Sequence, residues 1–263
     1  MYTGIRLSNL AIGEPLLNQN YEYNGKIGKE AIIERLHDQF LKIYNLGIKY
    51  VIDTIIIQEN NSILSLYQGI GGNVWSLAER LQLYQQFAEE YNLSIVLEID
   101  MSTVTSTNVN QYCNVILYEI ILQFSWVRYW IIGVQPDLMI NNQYKCSPEL
   151  YTYILQQIYP KIKAFNSNIL IGGPNIHQSI KQYITNKTGW LNIACGNLYN
   201  QDYTYNNLGK NGILDYIDIF AILGKQDSQY CSYNEYADIR KIVKNNNVIN
   251  STVLIIFRLS LVL

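Results

Sequence analysis

Helical and strand patterns alternate along almost the whole chain, and that alternation limits the possible folds more than any other feature of the sequence. From Lys29 to Leu46, the residues Ile32, Ile33, Leu36, Phe40 and Ile43 recur at helical spacing, and Gly47 follows as a C′ stop. The β-branched run Tyr50 to Ile57 predicts a strand covered on both faces. Ser76-Leu-Ala-Glu79 is a capping box, opening a helix with Leu77, Leu81, Tyr84, Phe87 and Tyr91 inward. The strand Ser94 to Asp100 comes next.

The unit recurs. A helix around Gln111 to Phe124 precedes the strand Tyr129 to Gly133, and Ser147-Pro148-Glu149 starts a helix through Phe165. There an N-cap hydroxyl, a proline at the first helical position and an acid in the first turn all favour initiation. The strand Asn168 to Ile171, the strand Tyr216 to Ile222, a capping box at Ser232 with a helix to Lys244, and the strand Val253 to Phe257 complete the series. Strands separated by helices imply right-handed βαβ units and a parallel sheet.

With a first strand near Gly4 to Asn9, the pattern predicts seven strands. A (β/α)₈ barrel has eight strands and about 250 residues. The expected architecture is therefore a TIM-barrel-like α/β domain over residues 1–263, one C-terminal β/α unit short of closure. Three readings stay open. Trp190 to Leu198 supplies another strand, the barrel is open, or a partner protein or second copy covers the gap. No low-complexity linker or composition shift divides the chain.

Composition narrows the function classes. Charged residues make up 15%, hydrophobic residues 49%, and the net charge is −2, which excludes a solvated disordered chain. Without a run of Lys or Arg, the electrostatic footprint of a nucleic-acid partner is missing. No apolar run reaches the length of a membrane span, and Met1 to Leu17 has no signal-peptide pattern, so the chain reads as soluble with no compartment named. Cys113, Cys146, Cys195 and Cys231 form no C-x-x-C pair, and the two histidines, His37 and His177, do not complete a zinc set. No metal and no cofactor is expected, and Gly71-Gly72 and Gly172-Gly173 fit no phosphate-binding pattern. The 39 Ile, 29 Asn and 23 Tyr all use AT-rich codons, so an AT-rich genome is the simplest source of this bias.

Between Tyr129 and Pro174 the wording is distinctive. Trp130-Ile-Ile-Gly-Val-Gln-Pro136, Ser147-Pro-Glu-Leu-Tyr151, Ile158-Tyr-Pro-Lys-Ile-Lys-Ala164 and Ile169-Leu-Ile-Gly-Gly-Pro174 resemble the fourth strand, fourth helix and fifth strand of clan A glycoside hydrolases. In that family the fourth strand typically reads W-x-x-G-N-E-P, with Glu as general acid/base and Asn binding the sugar. Tyr216 to Gly224 resembles the sixth strand, and Val253 to Phe257 stands where the seventh strand carries the nucleophile.

Under that resemblance the catalytic positions have changed. Gln135 takes the acid/base position, Val134 the Asn, Leu223 the sixth-strand His, and Phe257 or Arg258 the nucleophile. Retaining hydrolysis needs two carboxyl groups about 5 to 5.5 Å apart. An amide has no proton to give, and neither Phe nor Arg can form a glycosyl ester. No residue is expected to be catalytic by the clan A mechanism. Relocated candidates at strand ends are Asp100 and Asp137, with Asp53 and Asp227 as further carboxylates. Glu98 and Asp100 lie two apart, hence on one side of their strand, and an inward Glu98 must find a partner.

The expected substrate-binding set is Trp130, Gln135, Asp53, Asp100, His177 and Trp190, because flat apolar rings suit the C–H faces of a pyranose. The implied function is a catalytically degenerate, glycosidase-like barrel that binds carbohydrate or serves as a scaffold. The alternatives are a structural or assembly component, as in a virus or phage particle, and an active glycoside hydrolase using displaced carboxylates.

Overall fold

The computed structural model describes residues 2–6, 21–60, 63–66, 77–141, 143–175, 190–194, 212–224 and 252–257. Seven strands form its central parallel sheet: β1 (Tyr2–Arg6), β2 (Tyr50–Ile55), β3 (Ser94–Ile99), β4 (Tyr129–Ile132), β5 (Leu170–Gly172), β6 (Ile219–Gly224) and β7 (Thr252–Phe257). They run in the order β1-β7-β6-β5-β4-β3-β2, and β1 pairs in parallel with both β7 and β2. The sheet thereby returns on itself with seven strands. The expected open side is not there, because the edge left for an eighth strand is taken by the pairing of Tyr2 to Ile5 with Leu254 to Phe257. Of the stretch Trp190 to Leu198, Trp190–Ala194 is a short helix and adds no strand, and Cys195 to Leu198 lie outside the described residues.

Three of the expected helices form where the apolar spacing and caps place them, and the one expected from Ser232 to Lys244 lies outside the described residues. Helix α1 (Lys29–Asn45) buries Ile32, Leu36, Phe40 and Ile43, and ends at Gly47, whose φ of +72° is the left-handed conformation a C′ residue needs. Helix α2 (Leu77–Tyr91) buries Leu77, Leu81, Tyr84 and Phe87 against it. Helix α3 (Val109–Asn114) passes directly into a π-helical stretch, Val115–Ile121. That stretch is apolar on nearly every side and buries Val115, Ile116, Leu117, Ile120 and Ile121, so burial rather than a 3.6-residue period governs it. Helix α4 (Pro148–Phe165) starts as the sequence predicts, with Leu150 N–H donating to Ser147 Oγ at 3.2 Å.

Side-chain alternation separates two apolar layers. Ile52, Val96, Ile131 and Ile219 pack together inside the ring, whereas Val51, Ile95, Leu97, Ile99, Trp130 and Ile171 pack outward beneath the helices. The lumen is filled rather than hollow. A Cβ on Gly172 would lie 2.6 Å from Ile131 Cδ1 and 3.0 Å from Ile219 Cβ, so any larger residue there would force the Ile131 side chain to shift. No helix among the described residues is long and apolar enough to cross a membrane.

Among the described residues, three two-stranded ribbons decorate the barrel: Glu22–Tyr23 with Lys26–Ile27, Ile57–Asn60 with Ile63–Leu66, and Met139–Ile140 with Gln143–Tyr144. The second follows β2 at the end where strands finish, and the third lies in the loop after β4. Both therefore stand at the C-terminal end of the sheet, where barrel sites assemble.

Candidate functional site

On β3, Val96 points into the lumen, and the period of two puts Glu98 above it on the same side. The neighbouring register pairs Thr54 with Glu98. Glu98 is fully buried, and Thr54 Oγ1 donates to its Oε2 at 3.3 Å. Asn175, just beyond β5, donates from Nδ2 to Glu98 Oε1 at 2.6 Å. The inward carboxylate thus finds the partners that its burial demands.

Asn175 also joins the ends of β4 and β5. It forms a parallel bridge with Val134, with Asn175 N–H donating to Gly133 O at 3.1 Å and Gln135 N–H donating to Asn175 O at 2.7 Å. Gln135 is half-exposed and sits at φ +49°, a left-handed conformation that non-glycine residues seldom adopt. The turn is built around Tyr151, whose hydroxyl donates to Ile132 O at 2.6 Å. Gly133 has φ +93°, and a Cβ there would come within 2.7 Å of Tyr151 Cε2.

Asp100 closes the adjacent side of the mouth. Lys145 Nζ donates to Asp100 Oδ1 and, at 3.1 Å, to Val134 O, while Ser102 Oγ donates to Asp100 Oδ2 at 2.8 Å. Lys145 and Asp100 are 13% and 15% exposed, so solvent screens the pair only weakly. The Tyr112 hydroxyl donates to the Asp100 carbonyl. Burial, and then the Asp100 charge, hold that phenol well above its ordinary range. The mouth therefore gathers Gln135, Asp100, Lys145 and, deeper, Asn175, Glu98 and Thr54.

Of the remaining expected site residues, Trp130, Trp190 and Asp53 face away from the mouth. Trp130 is fully buried on the outer face of β4, with Nε1–H donating to Val127 O at 3.0 Å. Trp190 is also fully buried; its Nε1–H donates to Cys146 O at 2.7 Å and its ring meets Tyr151 edge-on. Neither offers a face to a sugar, because the alternation of β4 and the packing of α4 turn both rings into the layer between sheet and helices. Asp53 points outward to α2, accepting from the Tyr84 hydroxyl at 2.8 Å, with Arg80 3.9 Å away. It braces a helix rather than lining the mouth. Asp137 is buried in the loop after β4. His177, Asp227 and Arg258 lie outside the described residues. Leu223 and Phe257 fall at the ends of β6 and β7, where Gly224 pairs with Phe257. His37 sits between α1 and α2, with its Nε2 2.6 Å from the Tyr91 hydroxyl.

Chemically, the described residues of the mouth present an amide, an ammonium–carboxylate pair and a buried, hydrogen-bonded carboxylate. Gln135 offers an amide, which donates and accepts but does not titrate. Both oxygens of Asp100 and both of Glu98 already accept hydrogen bonds. Among the described residues no group of three His, Cys, Asp or Glu side chains is placed to hold a metal ion.

Asn175, Thr54 and Lys145 were not among the expected site residues. Thr54 could have been found by aligning the Tyr50 and Ser94 runs in parallel register. Asn175 and Lys145 carried no signal, since both lie in loops where spacing says nothing about direction.

No family model matches the chain, and no curated protein is significantly similar to it. Solved structures do resemble it. A glucosidase from Croceicoccus marinus aligns with a TM-score of 0.54 at 10% identity, covering 92% of this chain and 57% of that one. A conserved exported protein from Bacteroides fragilis aligns with a TM-score of 0.53 at 10% identity, covering 96% and 58%. The chain thus spans less than two thirds of the length of either structure. What it shares with them is the architecture, a glycosidase-like α/β fold around a parallel sheet.

Proposed function

We infer that this chain is a glycosidase-like barrel without hydrolytic activity, whose C-terminal mouth binds carbohydrate. The observation that carries the reading is Gln135, which stands half-exposed at the end of β4, where the resemblance to clan A glycoside hydrolases puts the proton donor. A leaving sugar oxygen needs a proton as the glycosidic bond breaks, and a carboxamide has none to transfer. The other carboxylates near the mouth are poor substitutes. Asp100 is tied to Lys145 and Ser102, Glu98 is buried beneath Asn175, and Asp137 is buried.

Binding survives such losses more easily than catalysis. An amide and an ammonium-carboxylate pair still present donors and acceptors in a fixed array, which suits the hydroxyls of a sugar. The test is a glycan array probed with the intact chain beside an aryl glycoside panel. The reading expects selective binding without turnover, lost in Gln135→Ala. Silence on every glycan would contradict the binding half and leave a scaffolding role. Turnover that disappears in Asp137→Asn would contradict the inactive half.

A further inference from the structure

The ribbon of Glu22–Tyr23 and Lys26–Ile27 turns through Asn24 and Gly25, with Tyr23 paired to Lys26. Both turn residues have positive φ, +51° and +74°, as in the type I′ hairpins that Asn-Gly favours. Both are exposed, and a Cβ built on Gly25 would meet nothing within 4 Å. The Gly25 amide nitrogen is therefore unhindered, and it follows an asparagine whose side-chain carbonyl carbon it can reach by closing a succinimide ring. Asn92 and Asn141 share the left-handed backbone at φ +51°. Asn92 precedes the buried Leu93, however, and Asn141 precedes another asparagine, so there the nitrogen belongs to a residue with a side chain. The hairpin is also clamped to α1. The Tyr23 hydroxyl donates to Asp38 Oδ2 at 2.9 Å, Lys26 Nζ donates to Glu34 Oε2 at 2.6 Å, and Gly28 N–H donates to Tyr21 O at 2.7 Å. Asn24 Nδ2 lies 3.5 Å from the same Asp38 oxygen, so its amide faces a carboxylate.

We propose that Asn24 is a site of spontaneous deamidation through a succinimide, and that its conversion loosens this hairpin from α1. The Gly25 amide nitrogen gives its proton to solvent and bonds to Asn24 Cγ. The Cγ–Nδ2 bond breaks, and Nδ2 leaves as ammonia with a proton taken from water. Water then opens the ring. Cleavage at Cγ leaves an aspartate, whereas cleavage at the Asn24 backbone carbonyl leaves an isoaspartate whose main chain runs through Cβ and Cγ. One water is consumed and one ammonia released, with no change of oxidation state. Either product puts a carboxylate where an amide faced Asp38, and like charges disfavour that approach. Isoaspartate also lengthens the main chain by a methylene within a two-residue turn, which works against the pairing of Tyr23 with Lys26.

The test incubates the intact chain at 37 °C in buffers from pH 6 to 9. Samples are digested and mapped by mass spectrometry, with electron-transfer fragmentation separating aspartate from isoaspartate. Asn24 should convert before any other described asparagine, with isoaspartate among the products. The rate should rise with pH, because the attacking nitrogen must lose its proton. In Asn24→Gln, whose amide lies a methylene further from the Gly25 nitrogen, the mass gain at this position should fall to background. The chain's other Asn-Gly pair, Asn211-Gly212, has its asparagine outside the described residues and is read on a separate peptide. In the converted chain, hydrogen exchange at the Gly28 N–H, which closes the base of the ribbon, should quicken about 10-fold or more. Asn24 retained as the amide at pH 9, or converted later than another described asparagine, would overturn the site. Conversion at Asn24 with Gly28 exchange unchanged would overturn the loosening.

Discussion

Asn175 donates to Glu98 across 77 residues of sequence, linking the end of β5 to the lumen face of β3 at 2.6 Å. This bond and the Thr54 hydroxyl make a buried carboxylate tolerable inside an otherwise aliphatic ring. Removing the carboxylate should therefore cost stability even if it does no chemistry. Glu98→Ala leaves the Asn175 amide and the Thr54 hydroxyl without their acceptor. A loss of about 2 to 4 kcal/mol is expected, from roughly 1 to 3 kcal/mol per unmet buried group. Urea denaturation followed by circular dichroism reads it; an unchanged midpoint would refute the buried network.

The Lys145 to Asp100 pair clasps the loop after β4 onto the end of β3. Lys145→Met removes the cation, exposing a mostly buried carboxylate to an uncompensated environment. The expected cost is about 3 kcal/mol. Limited proteolysis should then cut first in the Met139–Ile140 and Gln143–Tyr144 ribbon, which Lys145 holds through Leu138 O and Val134 O. Unaltered cleavage kinetics would show that the ribbon is held by something else.

Gly133 carries both a left-handed backbone and a close approach to Tyr151. Gly133→Ala should destabilise the chain by about 2 kcal/mol or more, since strain at φ +93° adds to the clash with the ring. Gly47→Ala at φ +72° meets no atom within 4 Å, so it isolates the backbone component and should cost about 1 kcal/mol. Equal losses at the two sites would contradict the packing argument.

High pH should unfold the chain. Burial pushes the Cys113 thiol up to about 11 and the Cys146 thiol up to about 12. Tyr84 is raised well above 10.0, first by burial and then by the Asp53 charge. Each group binds its proton more tightly when folded. The stability they contribute is thus complete below the unfolded values, near 9 for thiols and 10 for phenols, and is lost as pH rises beyond them. Urea midpoints measured from pH 8 to 11 should fall, with a shallower slope in the Cys113→Ser, Cys146→Ser double variant. A flat profile would contradict the burial of these groups.

Much of the barrel could be read from the chain. The helical stripes of α1 and α2, the β-branched runs of β2 and β3, and the Ser147 cap of α4 all form where local chemistry predicts. Closure could not be read, because it depends on β1 pairing with β7 across nearly the whole chain, and no local pattern encodes a long-range register. The candidate site was legible only in part. Gln135 and Asp100 reach the mouth because they follow strand ends, but Trp130 and Asp53 sit on strands whose alternation turns them outward. Residue type pointed to sugar binding at Trp130, and strand parity, unresolved by residue type, sent the ring to the core. Asn175 went unnoticed for the opposite reason: an asparagine in a chain with 29 of them draws no attention until its neighbours are known.

Under the proposed function Gln135 leaves this mouth without its proton donor, and a turnover assay decides the matter. Wild-type chain and Gln135→Glu are incubated with 4-nitrophenyl glucosides, xylosides, mannosides and arabinofuranosides across pH 4 to 8. No release above background is expected from the wild type, and none from Gln135→Glu alone, since among the described residues Asp100 and Glu98 are both committed to other hydrogen-bond partners. Nitrophenol release by the wild type that falls to background in Asp100→Asn would contradict it.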